Sequence, residues 1–94
     1  MLIDNDSQMD RGVTTLDKLP LRAGGEIIAV DWSQLSDKDA RRLRELGVDE
    51  GVPVEKLHKG PFGVDPIACR IGRMTVALRS AQAAAISVGP RQDR

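Results

Sequence analysis

The chain has 94 residues, with 14 Lys plus Arg balanced by 14 Asp plus Glu. A domain this small buries roughly 60% of its unfolded surface, so a minimal barrel or bundle is expected rather than a deep catalytic pocket. Without a net positive field, and with Trp32 and Phe62 as its only aromatics, the chain lacks both the phosphate attraction and the stacking platforms that nucleic-acid binding uses.

Residues Met1 to Val13 mix acids, Ser, Gln and Gly without periodicity and read as a tail, as do Gly89 to Arg94. The acidic start lacks the basic region of a signal peptide, and no run approaches the ~18 apolar residues of a membrane span, so a cytoplasmic protein is expected. One domain is expected over residues 14–88.

Order should begin at Thr14-Thr15-Leu16. The turn Arg22-Ala23-Gly24-Gly25 then delivers a strand from Glu26 to Trp32, carried by Ile27, Ile28 and Val30. Ser36 is placed to N-cap a helix with Asp37 and Asp39 in its first turn and Ala40, Leu43 and Leu46 on one buried stripe. Gly47 should stop that helix in the left-handed conformation, and Gly51 should re-aim the chain into the next strand.

Further strands are expected over Val52 to His58, Ile67 to Ile71, Met74 to Leu78 and Ile86 to Val88, with Gly72-Arg73 as a tight hairpin turn. Ile67, Cys69 and Ile71 alternate with Ala68 and Arg70, which gives that strand one inward face. Pro61 and Pro66 stiffen the connection before it, and the alanine-rich Ser80 to Ala85 has room for a turn or two of helix. Five short strands, one inserted helix and a short C-terminal helical turn predict a mostly β fold, a small barrel.

The same order of features resembles the FeoA domain family over Thr14 to Val88. The resemblance lies in Thr15-Leu16-Asp17-Lys18-Leu19-Pro20 leading to Gly25-Glu26-Ile27. It continues in Arg42-Leu43-Arg44-Glu45-Leu46-Gly47-Val48-Asp49-Glu50-Gly51-Val52-Pro53-Val54, in Gly60 to Ile67, and in Ala77 to Val88. Three features depart from the family pattern: Val64 stands between Gly63 and Asp65, the turn at Arg22 to Gly25 is long, and Gln82 replaces an acidic residue. The resemblance implies an SH3-like barrel and a non-enzymatic role beside the FeoB membrane permease, which carries a G domain, in ferrous-iron uptake. The same barrel closes iron-dependent repressors. A protein-binding module in iron-dependent transcriptional regulation is therefore the alternative, without direct nucleic-acid contact.

No catalytic residues are expected, because no Ser-His-Asp set, nucleophile elbow or P-loop is present. No metal ligand set is expected either: His58 and Cys69 are the only residues of their types, and Cys69 reads as a core thiol. No cofactor is implied beyond weak transition-metal binding. Phe62, a lone large apolar residue between Pro61 and Gly63, is a docking anchor or a cover for the barrel end. With it, Arg41, Arg42 and Arg44 of the helix form the candidate partner-binding set, against the plainer reading of arginines that solvate a helix face and complement its dipole. Gly47, Gly51, Pro66 and Gly72 are assigned to turns. Self-association through exposed strand edges stays open.

Overall fold

The computed structural model describes residues 12–60 and 65–91. Pro61, Phe62 and Gly63 lie outside the described residues, as do residues 1–11 of the expected N-terminal tail and residues 92–94 of the C-terminal one.

Six strands form one antiparallel sheet: β1 (Thr14–Thr15), β2 (Gly24–Val30), β3 (Pro53–Lys59), β4 (Ile67–Ile71), β5 (Met74–Leu78) and β6 (Ile86–Gly89). Their spatial order is β1-β6-β2-β3-β4-β5, so β1 and β5 are the edges. The helices are α1 (Asp37–Glu45) and the one-turn α2 (Ser80–Ala83), and 3-10 turns cover Leu16–Lys18 and Trp32–Gln34. The sequence reading of five strands is extended by β1, a two-residue strand that pairs Thr14 with Val88 and Thr15 with Ser87.

Period-2 alternation sets the core. Ile67, Cys69 and Ile71 on β4 face inward with Ile27, Val54, Leu78, Ile86 and Val88, and Leu16 and Leu43 cap them. Each fully buried Leu, Ile or Val contributes about 1.5–3 kcal/mol of transfer free energy, and among the described residues the core is built without Phe or Tyr. The curled sheet is irregular at two points, between Ile27 and Ala29 in the β2–β6 pairing and between Lys56 and His58 in the β3–β4 pairing. The first leaves Ile28 and Ala29 exposed in succession, beside the buried Ile27.

β2 ends at Val30, two residues before the expected Trp32. The Asp31 carboxylate accepts bonds from the Ser33 amide (3.2 Å), Ser33 Oγ (2.6 Å) and Gln34 Nε2 (2.7 Å), which turns the chain into a 3-10 turn. These donors hold the Asp31 carboxyl below its ordinary value, the Ser33 hydroxyl most and then Gln34.

α1 is bounded as its sequence dictates. Ser36 Oγ accepts the Asp39 amide at 3.1 Å, and the far end closes with Gly47 at φ +90°. The Gly47 amide reaches Arg44 O and the Val48 amide reaches Leu43 O, the paired bonds of a Schellman ending. Leu43 is fully buried beneath the helix. Gly51 (φ +88°) and Gly72 (φ +61°) also lie in the left-handed region, which favours glycine at both turns.

Candidate functional site

The ends of the connection between β3 and β4 are fixed by two contacts. Gly60 lies so close to Asp65 that a β-carbon there would meet Asp65 O at 2.6 Å and Pro66 Cδ at 2.8 Å, so the two ends pinch together and only glycine fits. Asp65, which precedes a cis peptide to Pro66, accepts bonds from both the Ser80 amide (2.6 Å) and Ser80 Oγ. Those two donors at the first residue of α2, followed by the Arg79 charge, hold the Asp65 carboxyl below its ordinary value. Gln82 Oε1 in turn accepts the Arg79 amide at 2.9 Å, which orders the start of α2.

Beside this base, α1, the end of β5 and α2 enclose a groove of about 440 Å³. Pro66, Ala77 and Leu78 supply apolar surface, while Lys38, Arg42 and Arg79 supply three cations against the single carboxylate of Asp39. None of the three cations is in an ion pair with a described residue. The groove therefore suits an extended, acidic protein segment with some apolar character, and its walls offer nothing that activates a nucleophile.

The three arginines of the sequence reading share shallow surfaces in pairs, Arg41 with Arg42 and Arg41 with Arg44, but differ in what else they meet. Only Arg42 shares the groove with Pro66. Arg41 borders shallow surfaces with Asp37 and Glu45. Arg44 lies over the Trp32 ring, 4.3 Å from its centroid, a cation–π contact that ties the α1 C-terminus to the preceding 3-10 turn.

A second concavity, bordered by Gly24, Gly25, Pro53, Glu55, Arg70 and Gly72, is a poorer candidate. Much of its wall is backbone, and Arg70 is already paired with Glu55 at 3.3 Å.

Cys69 and His58 occupy opposite situations. The Cys69 side chain is fully buried, whereas His58 is exposed near the end of β3. Burial pushes the Cys69 thiol up to about 11, against a smaller opposing pull from Lys56. Among the described residues no cluster of three or more His, Cys, Asp or Glu side chains is placed to hold a metal ion.

Lys56 escaped the sequence reading. It is 3% exposed, stands opposite Cys69 on the inward face, and donates from Nζ to Asp17 O at 2.7 Å. Its backbone pins the turn before β2, through Arg22 N–H to Lys56 O (2.6 Å) and Lys56 N–H to Ala23 O (3.0 Å). One residue thus joins the 3-10 turn at Leu16–Lys18, the Arg22 turn and the barrel wall.

A family model described as the FeoA domain matches residues 14–90. Among solved structures, a Stenotrophomonas maltophilia FeoA complexed with zinc is 37% identical, with a TM-score of 0.68, over 80% of this chain and 88% of that one. It is described as a prokaryotic SH3 domain protein and a candidate activating factor of bacterial ferrous-iron transport. A FeoA protein from Chlorobium tepidum is 26% identical, with a TM-score of 0.71, over 86% of this chain and 74% of that one. A manganese-dependent transcriptional repressor shares the fold at 20% identity and a TM-score of 0.72, over 83% of this chain but 41% of the repressor. No curated protein sequence matches the chain.

Proposed function

The chain belongs to the FeoA domain family, and from that premise we propose that it is a non-enzymatic accessory of bacterial ferrous-iron uptake that binds the cytosolic portion of a FeoB-type permease. The family match supports the transport role, and the SH3-like barrel fits a domain that works by docking. The observation that carries the docking reading is the groove beside the Asp65–Pro66 base, where Lys38, Arg42 and Arg79, none within ion-pair distance of a described carboxylate, flank apolar surface. In this reading the protein works from the cytoplasm, and no helix among the described residues is long and apolar enough to cross a membrane. Phe62, with Pro61 and Gly63, belongs to the connection whose ends this base holds, and Arg42 is the helix arginine that shares the groove.

Ferrous-iron uptake in a strain lacking the gene tests the proposal. Uptake should fall, return with the wild-type chain, and return poorly with Lys38→Glu/Arg42→Glu, while His58→Ala restores it in full. Uptake indifferent to the deletion would remove the transport role.

The likeness to the repressor supports a second reading, a protein-binding module in metal-dependent regulation. The net charge of +0 directs that reading toward a protein partner rather than toward DNA.

A further inference from the structure

The strand order leaves β5 at one edge of the sheet, and its pairing with β4 determines what that edge presents. The two-residue loop Gly72-Arg73 closes on the pair Ile71 and Met74, and the register continues through Arg70–Thr75, Cys69–Val76, Ala68–Ala77 and Ile67–Leu78. In a hairpin with a two-residue loop the closing pair exchanges hydrogen bonds, and bonded and non-bonded pairs then alternate. The backbone N–H and C=O groups of Thr75 and Ala77 therefore point away from β4. No backbone bond outside the sheet ladders reaches either residue among the described residues, and both are exposed.

This edge has the features of a strand acceptor. It is five residues long and carries no charge within Met74–Leu78, although exposed edges are commonly blunted by internal charge, proline or extreme shortness. The other edge, β1, is only two residues long. Met74 is 46% exposed, and Val76 is half-buried. Cations lie beyond both ends, Arg73 at one and Arg79 at the other, and Ala77 and Leu78 run directly into the groove that holds Lys38 and Arg42.

We propose that β5 accepts an extended acidic segment of the protein partner as an added strand, with the segment's carboxylates meeting Arg73 at one end and the Lys38–Arg42–Arg79 groove at the other. Main-chain bonds to Thr75 and Ala77 supply affinity, and the flanking cations select the sequence. A second copy of this chain is a poorer occupant: antiparallel pairing about Val76 would set Arg73 of one copy opposite Arg79 of the other. The identity of the partner rests on the accessory reading above, whereas the strand edge does not.

Residue-resolved amide exchange of the full chain, alone and with the purified cytosolic portion of the permease, tests this. Exchange at Thr75 and Ala77 should slow at least tenfold on binding, while Val76, already bonded to β4, changes little. Ala77→Pro removes an outward N–H and leaves the β4 ladder intact, so the variant should fold, keep the Val76 protection, and bind at least tenfold more weakly. Permease binding with unchanged exchange at both residues, or undiminished binding by Ala77→Pro, would overturn the strand edge and leave the accessory reading standing. If the permease does not bind at all, the accessory reading fails. A synthetic acidic peptide of alternating Val and Thr flanked by Glu pairs then decides the edge: protection at Thr75 and Ala77 supports it, and none overturns it. Protection that grows with protein concentration alone would assign the edge to self-pairing and overturn the proposal.

Discussion

At Cys69 the thiol is enclosed by the inward faces of β3 and β4, and burial pushes its pKa up to about 11 from 9.0. A raised folded pKa contributes stability that is fully present below the unfolded value and is lost as pH rises through the folded one. Unfolding free energy should therefore be flat with respect to this group at neutral pH and fall between about pH 9 and 11, by about 2–3 kcal/mol. Urea titrations of the wild type and of Cys69→Ala across that range provide the check, and the alanine variant should lack this component of the decline. The inward placement of Cys69 was legible, because Ile67 and Ile71 flank it at period two. Lys56 carried the same signal: it stands two residues after Val54, and strand period alone puts it on the inner face. Its charge masked that signal, since a buried lysine is plausible only when a partner is known. Its partner, the Asp17 carbonyl, lies 39 residues away in sequence.

Among the elements, α1 was the most legible, because its signals are local. Ser36, the acidic first turn and Gly47 act within a few residues of themselves, and the structure realises each one. Gly47 at φ +90° has nothing within 4 Å of a built β-carbon, so substitution there is penalised by backbone conformation rather than by a clash. Gly47→Ala should cost about 1–2 kcal/mol in chemical denaturation, while Arg41→Ala on the exposed face should change stability little. The early end of β2 was less legible. Asp31-Trp32-Ser33-Gln34 also carries a turn signal, in Asp31 followed two residues later by Ser33, but the apolar run before it favoured a continued strand. The Trp32–Arg44 contact joins two elements twelve residues apart, and composition gives no hint of that pairing.

For the whole molecule, the barrel followed from alternation and turn spacing, whereas the grouping of surface residues did not. Arg41, Arg42 and Arg44 are neighbours in sequence and border overlapping shallow surfaces, yet α1 turns about 100° per residue and brings only Arg42 to the groove beside Pro66, while Arg44 lies over Trp32. Lys38, Arg79 and Pro66, distant in sequence from one another, join Arg42 instead. That convergence, beside a strand edge whose Thr75 and Ala77 backbone groups point away from β4, is what a docking domain needs, and it makes partner binding the claim on which the account depends. Affinity capture of the tagged chain from cross-linked native cells, with Lys38→Glu/Arg42→Glu alongside, tests it most directly. The account predicts recovery of a membrane permease bearing a G domain, reduced at least severalfold by the double variant; recovery of soluble regulators with no permease would contradict it.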